Sequence, residues 1–189
     1  KAKSLLGAIS EADSVVLDPH KGLFLPYGCG AVLVRDRDHM LKAYSANPVY
    51  LADIENDQVP SPRDYSPEGT RHFRALRLWL AFQIHGLKSF EVALTEKLLL
   101  AQWAYQKLSE VKQIEMGPAP QLSTVLFRVR SEEDSPTVEL MDKVSKENRI
   151  LCTSTRMNGK RYIRFCILNF RTHLKEVELA VESVTKFLR

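Results

Sequence analysis

The stretch Ser14-Val15-Val16-Leu17-Asp18-Pro19-His20-Lys21-Gly22 decides the fold of this 189-residue chain. Its first four residues are small or apolar and do not alternate with polar ones, which is typical of a buried strand. Asp18-Pro19 ends that strand. A second apolar run, Ala31–Val34, follows after residues 22–30 and ends at a charged cluster. Two buried strands joined by a tight segment predict the middle of an α/β sheet.

Lys21 comes directly after the first strand, and this placement is the strongest chemical signal in the chain. Such a lysine lies at the edge of the sheet, where α/β proteins place ligand sites. Partial burial beside His20 favours the neutral amine, which is the form that attacks a carbonyl to make a Schiff base. These residues leave a second interpretation open, namely a surface turn in which both side chains are solvated.

Further along the chain, an irregular connection precedes two helices. Residues 45–69 contain four prolines and several acids, and connections of this length in compact domains are usually functional or disordered. Helical periodicity begins at Phe73 and is closed by Gly86. A longer helix with a wide apolar face follows from about residue 89 to residue 112.

The composition changes at Gly117–Pro120, and the residues beyond it have the order β-α-β-β-α. The predicted elements are a strand at 123–129, a helix at 137–147, strands at 150–155 and 161–168, and a helix at 174–188. Asn158-Gly159 between the last two strands is a strong hairpin signal, since both residues tolerate positive φ. We therefore predict a division into domains at residues 1–112 and 113–189.

Charge and cysteine content exclude several classes of function. The 27 basic and 23 acidic residues are spread along the chain, and no basic block is interleaved with aromatics, so nucleic acid is not an expected partner. Three widely spaced cysteines disfavour a disulfide framework and a metal site, and they fit a reducing, cytoplasmic compartment. No apolar run approaches the ~20 residues that span a bilayer.

Four motifs, taken in order, resemble the group II pyridoxal-phosphate-dependent decarboxylases, which include the aromatic amino acid and glutamate decarboxylases. Asp18–Lys21 with residues 28–35 resembles their cofactor-lysine region. Asn47–Leu51 resembles their mobile catalytic loop, and Arg71–Trp79 resembles the start of a characteristic helix. Tyr162–Phe165 resembles part of their C-terminal domain, so the resemblance covers essentially the whole chain.

The resemblance implies an α/β fold and an activity. Residues 1–112 would be the C-terminal part of a fold-type I large domain of the pyridoxal-phosphate-dependent transferase type, with a mobile loop at 45–69. Residues 113–189 would be a small α+β domain. The implied reaction is decarboxylation of an L-amino acid to an amine and CO2, with pyridoxal 5′-phosphate as cofactor and no metal.

The resemblance also implies roles for three residues. Lys21 would hold the cofactor as a Schiff base, and His20 would lie beside the cofactor, near its phosphate. Tyr50 would supply a proton to the carbanionic carbon, in its own site or in that of a neighbouring subunit. Arg71 is a candidate for contact with the substrate on other grounds, since a cation near a predicted helix N-terminus suggests a carboxylate partner; a solvated helix face is the alternative.

In the resembled fold, the phosphate-binding turn and the Asp that pairs with the cofactor ring precede the lysine by tens of residues. We therefore expect the chain to be the C-terminal part of a larger enzyme, or one of two chains that assemble, in a homodimer. Alone it should aggregate or fail to bind the cofactor. Alternatives are another carbon–carbon lyase with the same cofactor, an aldehyde-forming decarboxylase, and a non-catalytic dimerisation or regulatory module. Gly22 and Ser66 depart from the pattern of many aromatic decarboxylases and leave the substrate open.

Overall fold

Residues 3–45, 61–147 and 150–188 are described by the computed structural model of the chain. Contacts between residues divide the chain into two units. The first unit is Leu6–Gly86, and the second is Leu87–Arg189 together with Lys1–Leu5. The domain boundary between residues 112 and 113 stays a prediction.

In the first unit, two short strands lie on either side of the lysine turn. The elements are β1 (Ser14–Leu17), α1 (Pro19–Gly22), β2 (Ala31–Val34), α2 (Arg37–Tyr44), a 3-10 turn (Pro62–Tyr65) and the first part of α3 (Ala75–Ser109). A 3-10 helix, Lys3–Glu11, precedes β1 and begins among the residues of the second unit. β1 and β2 pair antiparallel, with Ser14 opposite Val34 and Leu17 opposite Ala31. The predicted strand at residues 14–17 is confirmed.

The expected burial of β1 and β2 is wrong for the chain as described. Val16 is 73% exposed and Leu33 is 59% exposed. The physical reason is that, within the described residues, the two strands pair only with each other. No other described strand covers their outer edges, and much of their faces stays exposed. The two strands therefore expose apolar surface in the part of the chain that the structure describes.

Helix α3 is interrupted at Gly86, where the backbone has φ 72° and ψ 151°. Glycine reaches this region without the steric cost that a Cβ imposes, so the predicted end of a helix at Gly86 is confirmed. A second helical segment, residues 87–109, follows in the second unit and ends three residues before the predicted 112.

Within the described residues, no helix combines the length and the apolar character needed to cross a membrane.

The second unit is built on an antiparallel sheet in the order β3-β4-β6-β5. Its elements are β3 (Ile114–Met116), β4 (Thr124–Val129), α4 (Ser135–Lys146), β5 (Thr153–Met157), β6 (Lys160–Cys166) and α5 (Leu174–Lys186). The predicted hairpin is confirmed, since Asn158 and Gly159 have φ of 51° and 79°. β3 is the one strand of this sheet that the sequence analysis did not predict.

The core of the second unit lies between one face of this sheet and the helices. It includes Leu108, Val125, Phe127, Ile163, Phe165 and Val184, all buried. The rings of Phe127 and Phe165, on neighbouring strands, meet edge to face with centroids 5.0 Å apart. This pair joins β4 to β6 at the centre of the sheet.

We expect Phe127→Ala to destabilise the full chain, because it opens a cavity at a fully buried position. Truncations of this kind cost about 3–5 kcal/mol. Denaturant unfolding followed by circular dichroism measures the change. Leu122→Ala is the matched control, since Leu122 is half exposed and its truncation should change stability by less than about 1 kcal/mol. Equal effects of the two variants would contradict this assignment of the core.

Candidate active site

The turn that carries Lys21 follows directly from the local sequence. β1 ends at Leu17, and Pro19 occupies the start of α1, where its fixed φ suits the first turn and its missing N–H costs nothing. The backbone N–H of Lys21 donates to the carbonyl of Asp18 at 2.8 Å. Lys21 therefore lies one turn beyond the end of the strand.

The amine of Lys21 is paired with a carboxylate on the same turn. Lys21 Nζ donates to Asp18 Oδ2 at 2.6 Å, and the two side chains are 65% and 40% exposed. The hydrogen bond from Lys21 holds the pKa of the Asp18 carboxyl below its ordinary value, and the charge of His20 acts in the same direction. The partial burial expected for Lys21 is not found among the described residues.

His20 is oriented by the segment that leads into β2. Its Nδ1 donates to the carbonyl of Cys29 at 2.9 Å, and its ring lies 5.3 Å from the ring of Tyr27, measured between centroids. Since Nδ1 is bound to the carbonyl, Nε2 lies on the other side of the ring. The structure thus fixes the direction in which Nε2 faces a ligand, as an acceptor in the neutral ring and as a donor in the protonated ring.

The segment after the lysine turn is fastened to the start of α3 within the first unit. The guanidinium of Arg77 donates to the carbonyl of Tyr27, and Cys29 Sγ donates to the carbonyl of Arg74 at 3.8 Å. Gly28, between these two contacts, has φ 81°, and a Cβ there would lie 2.8 Å from Arg77 Nη1. The positive φ favours glycine at this position, whereas the nearby Arg77 nitrogen is the end of a flexible side chain that can move aside.

Arg71 lies in a cleft of about 730 Å³ that is lined by Gly30 and by residues from Ser61 to Ala75. Its Nη1 donates to Ser66 Oγ at 2.9 Å and to the carbonyl of Glu68 at 2.7 Å, and its Nη2 donates to the carbonyl of Pro62 at 2.9 Å. These contacts fold residues 62–68 around the guanidinium. They do not bring Arg71 to Lys21 or His20, and its contact with a substrate stays a prediction.

Arg74 and Glu68 also line the cleft, and they form a bidentate ion pair. Its Nη2 donates to Glu68 Oε1 at 3.1 Å, and its Nη1 binds the second oxygen. This hydrogen bonding holds the pKa of the Glu68 carboxyl below its ordinary value. The helix start that the sequence analysis singled out is therefore organised by internal ion pairs and carbonyl contacts.

Tyr50 and the rest of the motif Asn47–Leu51 lie outside the described residues, so the role of Tyr50 stays a prediction. In the parts of the chain that the structure describes, no group of three or more His, Cys, Asp or Glu side chains is arranged to hold a metal ion.

The sequence analysis did not predict that Asp18 pairs with Lys21, since Asp18 was interpreted only as the residue that ends the strand. The signal for it was the i, i+3 spacing to Lys21 across one helical turn.

One family model and one curated relative each match most of the chain. The model of the pyridoxal-dependent decarboxylase conserved domain matches residues 1–130. The aromatic-L-amino-acid decarboxylase of Bacillus atrophaeus is 32% identical over 187 residues, which cover 94% of this chain and 39% of that protein.

Two crystal structures share the fold. Catharanthus roseus tryptophan decarboxylase in complex with L-tryptophan has a TM-score of 0.87 at 22% identity, over 98% of this chain and 39% of that one. Rhodiola rosea 4-hydroxyphenylacetaldehyde synthase has a TM-score of 0.85 at 16% identity, over 97% and 38%. The chain thus spans about two fifths of the length of the proteins that it matches.

Proposed function

Because the chain belongs to the pyridoxal-dependent decarboxylase family, we propose that it contributes the lysine half of an active site that decarboxylates an L-amino acid. The products are an amine and CO2, and the cofactor is pyridoxal 5′-phosphate. The observation that carries this proposal is the position of Lys21, a largely exposed primary amine on the turn after β1. That turn lies inside the stretch that the family model matches.

The residues of the turn suit the proposed cofactor. A cofactor with an aldehyde needs a primary amine that it can reach, and the side chain of Lys21 is 65% exposed. A cofactor with a phosphate needs hydrogen-bond donors, and the ring of His20, which donates from Nε2 when it is protonated, lies on the same turn with its orientation fixed by Cys29. When bound, the cofactor accepts the electron pair that remains after CO2 leaves.

The residues of the chain then have distinct tasks. Lys21 holds the cofactor covalently, and His20 contacts its phosphate. Tyr50 donates a proton from its phenol to the carbon that has lost CO2, which is general acid catalysis. Arg71 contributes to substrate binding from the wall of the cleft, while its hydrogen bonds fix the shape of residues 62–68.

We also propose that the site is completed by an N-terminal portion of the same enzyme, in the same or a separate chain, and that the enzyme is a cytoplasmic homodimer. Support for a missing portion comes from the 39% coverage of the Bacillus relative and from the exposed faces of β1 and β2. Exposed apolar side chains on the first part of α3, such as Trp79 and Ile84, are consistent with a subunit contact. The cysteines Cys29, Cys152 and Cys166 are all free, as a reducing compartment requires.

Borohydride trapping tests the proposed function. The full-length enzyme, loaded with pyridoxal 5′-phosphate, is reduced, digested and analysed by mass spectrometry. The expected result is a pyridoxyl group on the peptide that contains Lys21, because reduction fixes the bond between the cofactor and the amine. Lys42 and Lys88, which are exposed, serve as internal controls and should remain unmodified.

A pyridoxyl group on a different lysine would contradict the role of Lys21. If no lysine is modified and no amine is formed, even with a partner chain present, the proposed enzyme function is wrong. The non-catalytic module would then be the better description of the chain.

A further inference from the structure

Asp18 directly precedes helix α1, but its carboxylate does not cap that helix. Its side chain makes no capping hydrogen bond to the helix, and the turn is closed instead by its backbone carbonyl. The hydrogen bond of the carboxylate goes to Lys21 Nζ at 2.6 Å. The carboxylate therefore acts on the amine itself.

We propose that Asp18 is a positioning residue whose carboxylate holds the unbonded ammonium of Lys21 in place on the turn. This inference rests on the proposed function, because it concerns the two moments at which Lys21 is free of the cofactor. The first is before the cofactor is captured. The second is after a substrate amine has taken the place of Lys21.

The proton balance of both events gives Asp18 its effect. On capture, the ammonium must first lose a proton to solvent; the nitrogen then bonds to the aldehyde carbon, and the aldehyde oxygen leaves as water. On displacement, the substrate nitrogen would bond to that carbon, the bond to Nζ would break, and the three hydrogens of the substrate ammonium would end on Nζ, which leaves as an ammonium. The ion pair with Asp18 must be broken before Nζ can attack the aldehyde, so it slows capture, and the same carboxylate receives the released ammonium.

The electrostatic surroundings of the carboxylate are simple. The charged groups that act on it within the described residues are Lys21 and His20, both on α1. The ring of His20 is held by the hydrogen bond from its Nδ1 to the carbonyl of Cys29. Because both members of the ion pair are partly exposed, solvent screens it, and a moderate effect is expected.

Trace labelling of the full-length apoprotein with acetic anhydride tests this inference. This reagent acylates amines only in their neutral form, and mass spectrometry reads the labelling of Lys21 relative to Lys88. In Asp18→Asn we expect Lys21 to be labelled about two- to fivefold faster, the range that corresponds to an exposed ion pair. Asp38→Asn, which removes an exposed carboxylate on α2, is the matched control and should label like the unmutated protein.

Asp18→Glu restores the charge and should return labelling close to the unmutated rate. Circular dichroism confirms that each variant is folded, and the Glu variant keeps the test decisive if the Asn variant is not. Equal labelling of Lys21 in all folded variants would overturn the inference. So would fast labelling in Asp18→Glu, since the effect would then not follow the charge.

A second readout is the rate at which each apoprotein captures the cofactor covalently. Asp18→Asn should capture it faster near neutral pH by about the same two- to fivefold factor. An unchanged rate of capture together with changed labelling would overturn the link to the cofactor. The labelling needs no cofactor, so it remains informative if the trapping experiment shows that Lys21 is not the cofactor lysine.

Discussion

Lys21→Ala is expected to abolish both covalent cofactor attachment and amine formation in the full-length enzyme. The reason is chemical: alanine has no nitrogen to form the bond or to exchange with the substrate amine. The adduct trapped by borohydride should disappear, and amine formation should fall to the background of the assay. Mass spectrometry of the reduced protein and quantification of the amine product measure the two effects.

Two variants separate this loss from a general effect on the protein. Lys42→Ala removes an exposed lysine from α2 in the same unit and should leave both measurements unchanged. Lys21→Arg keeps the positive charge and the ion-pair partner of Asp18, but it should be as inactive as the alanine variant. Amine formation by either Lys21 variant above the background would remove Lys21 from the mechanism.

Tyr50→Phe is expected to reduce amine formation by about 10²–10⁴-fold, the usual contribution of a positioned general acid. The phenyl ring keeps the shape of the side chain and removes only the proton donor. Loading with the cofactor should therefore be normal, and its visible absorbance should be retained. The assay should quantify aldehyde as well as amine, because a shift of product would point to the aldehyde-forming alternative.

Tyr44→Phe, at the end of α2, is the matched control and should form the amine at the unmutated rate. Unchanged amine formation in Tyr50→Phe would show that another group donates the proton. Aldehyde as the main product of the unmutated enzyme would overturn simple decarboxylation, whatever the variant does.

Local signals in the sequence were sufficient for much of the fold. The end of β1 at Asp18-Pro19, the interruption of α3 at Gly86 and the hairpin at Asn158-Gly159 are each set by residues within a few positions. β3 could not be predicted, because its three residues form a strand only through pairing with β4. The burial of β1 and β2 was predicted wrongly, because burial depends on which other segments cover them.

The candidate site was predictable to the extent that it depends on residue order. Lys21 and His20 share one turn because the sequence places them there, whereas the contacts of Arg71 with residues 62–68 depend on how the irregular segment just before it folds. The pairing of Asp18 with Lys21 depends on the formation of α1, a helix of four residues that has too few positions to show periodicity.

The thin antiparallel ribbon of β1 and β2 has a consequence for quality control in the cell. Two paired strands whose faces the described residues leave largely exposed are marginal in water, so the turn that carries the reactive amine depends on neighbouring segments for its rigidity. In the enzyme that we propose, a half-finished or misassembled polypeptide would not present Lys21 in a working geometry. The active site would then form only when the enzyme is completely assembled. Incomplete chains would be degraded by proteases instead of acting as partially active enzymes.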